Sequence, residues 1–66
     1  MKKPFIRLRR EELGLSRENL ARMARVSLNT IAQLETATRP NPTLEVCKKL
    51  SGVLGVSIDE LFKDMR

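Results

Sequence analysis

Side chains that commonly perform covalent or metal chemistry are scarce in this sequence. It has no histidine, and Cys47 is its one cysteine, so the chain cannot form an internal disulfide or a cysteine–histidine metal cluster. It also lacks a glycine-rich phosphate loop and a carboxylate pair with active-site spacing. We therefore expect no enzyme activity, metal or cofactor. The chemistry that remains is hydrogen bonding and charge.

Positive charge is concentrated in the first part of the chain. The formal net charge is +5, and residues 1–25 contain eight lysines and arginines against three glutamates, whereas residues 26–66 contain five basic and five acidic residues. Such an excess suits a polyanion such as nucleic acid, although a basic helical surface is often only a solvated face.

Length and composition bound the organisation of the chain. With 66 residues we expect one domain spanning 1–66, with no room for an effector-binding module or a small-molecule site. The apolar runs are too short for a membrane span or a signal peptide, and a single cysteine suits a reducing compartment. These features predict a cytoplasmic location.

One arrangement that positions helices recurs three times: an apolar residue, a serine, and a second apolar residue four positions after the serine. The serines are Ser16, Ser27 and Ser57. Each is suited to cap a helix N-terminus, and each apolar pair is placed to pack across that cap. Glu60 completes a capping box with Ser57. The pattern predicts three helix starts.

Two further helices follow from other signals. Thr43 precedes an apolar stripe at helical spacing, while Pro4 is tolerated in a first turn and Gly14 suits a left-handed C-terminal cap. The sequence therefore predicts an all-α fold of five helices. They span residues 4–13, 17–24, 28–36, 44–54 and 58–64.

The second and third predicted helices are separated by only about three residues, Arg25 to Ser27. Such a short turn makes the helices cross steeply, and the small side chain of Ala21 permits close approach. This is the helix-turn-helix arrangement, whose second helix can enter the major groove of DNA. The shared core is predicted to contain Leu20, Val26, Ile31 and Leu34.

Further motifs extend this arrangement over nearly the whole chain. They are Ile6-Arg7 with Arg10, Gly14-Leu15-Ser16, Asn19-Leu20-Ala21, Val26-Ser27, Thr30-Ile31, Leu34-Glu35, the segment Arg39 to Leu44, and the segment Leu54 to Phe62. In order and spacing they resemble the phage-repressor and Cro-like helix-turn-helix family, the xenobiotic-response-element type of transcriptional regulator. The resemblance implies a compact five-helix, lambda-repressor-like domain that binds operator DNA as a symmetric dimer.

The resemblance makes the third helix the recognition helix. Its front, on the side away from Ile31 and Leu34, is expected to contact bases: amide side chains can pair with adenine and apolar ones can meet thymine methyls. The alternative is an ordinary solvated helix face. The predicted base-contacting residues are Ser27, Leu28, Asn29, Ala32 and Gln33.

Phosphate contacts are expected from the N-terminus of the second helix and from the segment after the third. The family usually has glutamine at the position of Arg17, and a charged side chain there favours the DNA backbone over a base. The predicted phosphate-contacting residues are Ser16, Arg17, Thr36, Thr38, Arg39 and Asn41.

Arg10 and Glu35 match a pair that the family uses as a buried or half-buried ion bridge between the first helix and the end of the third. Their expected role is stability. At Arg25 the family commonly has glycine, because a left-handed conformation is expected in the turn. Position 37, usually glycine, is Ala37, and Gly52 inside the fourth helix suggests close packing or a kink.

The expected function is that of a nucleoid-associated transcriptional regulator, a repressor that binds a palindromic site on double-stranded DNA as a homodimer. We expect the dimer interface at the C-terminal end, through Leu61, Phe62 and Met65. The alternative is a protein-interaction module, an antitoxin or accessory subunit, with secondary DNA binding. RNA binding is less favoured, because the chain has only two aromatic residues for stacking.

Overall fold

The computed structural model of the chain describes residues 4–36 and 42–63, and these contain five helices and no strand. The all-α, five-helix prediction is confirmed. None of these helices has the length and apolar content that a membrane span requires. The helices are α1 (Phe5–Glu12), α2 (Arg17–Ala24), α3 (Leu28–Thr36), α4 (Leu44–Leu54) and α5 (Ile58–Leu61).

The predicted helix caps are present as hydrogen bonds. Ser16, Ser27 and Ser57 each accept a bond from the backbone N–H three residues later, with N···O distances of 3.0, 3.0 and 3.1 Å. Thr43 caps α4 in the same way, at 3.2 Å from the N–H of Val46. Each bond satisfies a donor that the first turn of a helix leaves unpaired. Local sequence therefore sets four of the five helix starts.

Three helix ends, in two helices, differ from the predicted bounds. α5 stops at Leu61 rather than reaching residue 64, because Phe62 leaves the helical conformation with φ −114°. α1 is one residue shorter at each end, since Pro4 is its extended N-cap and Leu13 its C-cap. Gly14 follows with φ +70°, the left-handed conformation expected of it.

All five helices contribute to one core. α2 packs against both α3 and α4, α1 against α3, and α5 against α4. α3 is therefore held in place by both α1 and α2. The large side chains with no exposed surface are Ile6, Leu20, Ile31, Leu50, Leu54 and Leu61.

The proposed role of Leu61 in a dimer interface was wrong. Its side chain is 0% exposed, because it faces the core of its own chain, and a partner cannot reach it. Phe62 is half-buried and packs against the same core. Met65 lies outside the described residues. Leu61 therefore belongs to the core of its own chain, whereas the interface role of Phe62 stays a prediction.

Candidate nucleic-acid interface

α3 has one exposed side and one buried apolar side, as a helix that contacts bases requires. Asn29 and Gln33 are exposed and Leu28 is 47% exposed, whereas Ile31 and Leu34 on the other side are buried. Ala32 is half-buried. The face division predicted from sequence is therefore present, with two amides and one large apolar side chain open to solvent.

Ser27 is the least free of the predicted base-contacting residues. Its Oγ accepts a hydrogen bond from the Thr30 N–H, and it lies 2.7 Å from the Thr30 Oγ1, where either hydroxyl can donate. Both contacts hold the first turn of α3 in place. Ser27 thus fixes where α3 starts, and its contact with a base stays a prediction.

The N-terminus of α2 carries Ser16 and Arg17. Ser16 uses its oxygen as the helix cap, so its O–H can still donate to an anion. Arg17 is 35% exposed at the side chain, and its Nε donates to Glu35 Oε1 at 3.1 Å. Sequence reasoning missed this ion pair, because its partners lie 18 positions apart and belong to different helices.

Glu35 is the centre of a buried ion cluster. Arg10 binds it with two parallel hydrogen bonds, Nε to Oε2 at 2.7 Å and Nη2 to Oε1 at 3.0 Å, and donates from Nη1 to the Leu15 carbonyl at 2.7 Å. The Glu35 side chain is 0% exposed and that of Arg10 10%. Hydrogen bonding to Glu35 raises the pKa of Arg10 above its ordinary value. The predicted pair of Arg10 and Glu35 is confirmed.

The turn between α2 and α3 contains a left-handed residue. Arg25 has φ 56° and ψ 44°, and it is the one non-glycine residue with positive φ in the described ranges. The Val26 N–H closes the turn on the Ala21 carbonyl at 3.0 Å. A residue with a Cβ costs about 1 kcal/mol here relative to glycine. The expected left-handed conformation is confirmed, at an arginine rather than a glycine.

The segment after α3 gives less support to its predicted phosphate contacts. Thr36 donates its hydroxyl to the Ala32 carbonyl at 2.7 Å, so this donor is already used within the helix. Phosphate oxygens only accept hydrogen bonds, and Thr36 would have to leave this bond to contact one. Thr38, Arg39 and Asn41 lie outside the described residues.

Much of the basic charge in the first part of the chain is paired internally. Arg7 binds Glu11 at 3.2 Å, and Arg9 lies 3.5 Å from Glu12 and donates from Nε to the Leu54 carbonyl at 2.9 Å. Together with the ion cluster at Glu35, these contacts occupy four arginines. The excess of eight basic over three acidic residues already subtracts Glu11 and Glu12, so only the pairing with Glu35, which lies beyond residue 25, lowers the net charge that this part of the chain offers to a polyanion.

The described residues offer few side chains for metal binding or thiol chemistry. They hold no group of three or more acidic or cysteine side chains placed to bind a metal ion. Cys47 is buried on α4, and burial raises the pKa of its thiol, which disfavours the reactive thiolate.

Comparison with known proteins identifies the family. A family model described as helix-turn-helix matches residues 6–61, from the first core residue of α1 to the last residue of α5. No curated protein and no solved structure matches the chain. The model covers well over half of the sequence and includes α2, the turn and α3. The chain belongs to the helix-turn-helix family of Cro/C1-type regulators, a family of DNA-binding regulators of transcription rather than enzymes.

Proposed function

We propose that this protein represses transcription by occupying a specific palindromic site on cytoplasmic double-stranded DNA as a homodimer. The observation that carries the proposal is the exposed front of α3. It presents Asn29 and Gln33 beside Leu28, on the side opposite the buried Ile31 and Leu34. Amides of this kind can bond two atoms of an adenine edge in the major groove, and an apolar side chain can contact a thymine methyl.

Specificity and affinity are assigned to different residues. Asn29 and Gln33 select bases, with Leu28 and Ala32 supplying apolar contacts. Ser16 and Arg17 at the start of α2 bind the backbone, where the helix dipole also favours an anion. Thr36, Thr38, Arg39 and Asn41 remain secondary candidates for phosphate contacts.

Occupancy alone accounts for the regulation. Two recognition helices fit successive major grooves when their centres are about 34–36 Å apart, which is one turn of the duplex. A protein bound there excludes polymerase from an overlapping promoter, and no covalent step is required.

The dimer is tested by sedimentation at micromolar concentration with and without operator DNA. We expect a mass of two chains per palindrome. Since Leu61 is buried, the interface needs other residues, and crosslinking of the DNA-bound protein would identify them. A single chain on the palindrome contradicts the dimer but leaves DNA recognition intact.

The deciding experiment selects bound sequences from a random duplex library. We expect enrichment of a palindrome, and then a loss of about 1–3 kcal/mol of discrimination at one base position for Asn29→Ala and at another for Gln33→Ala. Gly52→Ala, an exposed change on α4, is the control and should select the same site. Failure to enrich any duplex sequence would refute the proposal and favour the protein-interaction alternative.

A further inference from the structure

We propose that Arg25 binds a DNA backbone phosphate beside the recognition helix, and that this contact is why the turn carries arginine in a left-handed conformation. The inference rests on the proposed function and adds to it a residue that the phosphate-contacting set did not include.

The arginines of the first three helices and their turns differ in whether their side chains are paired. Residues 4–36 contain six of them, and the side chain of Arg25 is exposed and has no hydrogen-bond or ion-pair partner among the described residues. The other five bind carboxylates, a backbone carbonyl or, in one case, the side chain of Asn19. They are Arg7, Arg9, Arg10, Arg17 and Arg22. Arg25 therefore presents a charge that the fold itself does not use.

Arg25 also lies close to the start of α3. Arg25 lies two residues before Ser27, which caps α3, and the bond from Val26 to the Ala21 carbonyl fixes the backbone there. A helix whose first turn enters the major groove has the phosphates of both strands on either side of it. A guanidinium carried on the entering turn is therefore placed close to the DNA backbone.

Arginine is an unfavourable residue type for a left-handed turn. Glycine adopts φ near +60° without strain and asparagine does so with little, whereas a long side chain gains nothing in the folded chain to offset the strain unless it makes a contact. The Arg25 side chain makes no hydrogen bond or ion pair within the described residues. Strained conformations persist at binding sites, where the gain comes from the ligand. A phosphate oxygen is the partner that fits a guanidinium.

The test separates charge from backbone conformation at one position. Arg25→Gly removes both the charge and the strain, Arg25→Asn removes the charge but tolerates the left-handed conformation, and Arg25→Lys keeps both. We expect the Gly and Asn variants to bind specific and random duplexes alike about tenfold more weakly. The slope of log affinity against log salt should become shallower by about 0.9 for each lost contact, and Arg25→Lys should keep the wild-type slope.

Stability should change in the opposite direction. Arg25→Gly should raise the folding equilibrium constant about fivefold while it weakens DNA binding. Gly52→Ala is the control for a gain in stability alone and should leave the salt slope unchanged. Wild-type affinity and slope in Arg25→Gly would overturn the phosphate contact. So would weaker DNA binding by Arg25→Gly that Arg25→Asn does not share.

The same measurements distinguish this failure from failure of the proposed function. If wild-type protein binds its selected site and Asn29→Ala loses discrimination while Arg25→Gly binds normally, only the role of Arg25 is wrong. If wild-type protein binds no duplex, both proposals are overturned.

Discussion

At the scale of single residues, the buried Glu35 connects the stability of the fold with the surface that is proposed to face DNA. Its carboxylate has no exposed surface and accepts hydrogen bonds from Arg10 of α1 and Arg17 of α2. Oε2 of Glu35 accepts a hydrogen bond from Arg10 alone, whereas Oε1 accepts from both Arg10 and Arg17. A residue proposed to contact phosphate is therefore oriented from behind by a buried charge.

Removing this carboxylate should be costly. Glu35→Ala leaves the Arg10 guanidinium poorly compensated in a nearly buried position, and we expect the free energy of unfolding to fall by about 3–5 kcal/mol. Thermal or urea unfolding measures the change. The matched control is Glu12→Ala, which removes an exposed partner of Arg9 and should cost less than about 1 kcal/mol. Equal, small losses in both variants would contradict a stabilising role for the buried cluster.

At the scale of helices and turns, short-range rules account for most boundaries. A serine or threonine cap starts α2, α3, α4 and α5, and a residue in the left-handed conformation follows α2 and α4. Each of these features involves residues within a few positions of one another, so the sequence shows them directly. The end of α5 is the exception, and there local helix propensity did not predict the stop.

Gly52 provides a test at this scale. It lies inside α4, and a Cβ added there would meet nothing within 4 Å, so close packing does not explain the glycine. Gly52→Ala should raise the free energy of unfolding by about 1 kcal/mol, because alanine loses less backbone entropy in a helix. For a domain of this size the midpoint of thermal unfolding should rise by about 4–8 °C. A lower midpoint would mean that the helix needs the glycine for another reason.

The glycine that caps the C-terminus of α4 should respond in the opposite way to Gly52. Gly55 has φ +69° in its C-terminal cap, so Gly55→Ala should lower the unfolding midpoint rather than raise it.

For the whole molecule, the distribution of charge depends on contacts between distant segments. The first 25 residues are strongly basic, yet α1 and α2 use several of their arginines on carboxylates and on the end of α4. The described residues leave a smaller set of basic side chains exposed and unpaired near α3, and this set includes Arg25. A net charge read from composition therefore measures attraction to DNA only roughly.

The salt dependence of binding tests the electrostatics of the assembled protein. If each of two subunits neutralises about three or four phosphates, log affinity should fall against log salt with a slope of about −5 to −7. Fluorescence anisotropy with a labelled duplex over a range of salt concentrations gives this slope. A slope near zero would contradict binding through the DNA backbone, whatever the sequence preference.

The sequence by itself determined four of the five helix starts and the division of α3 into an apolar and a polar face. These depend on hydrogen bonds and periodicity within one or two helical turns. The left-handed conformation of Arg25 and the pair of Arg10 and Glu35 were also predicted, but only through resemblance to a family.

Only the tertiary structure decided that Arg17 pairs with Glu35, that Leu61 belongs to the core, and that the Arg25 side chain has no hydrogen-bond or ion-pair partner in the described residues. Each depends on which helices pack together, and residues that are far apart in the chain leave no local pattern of such packing.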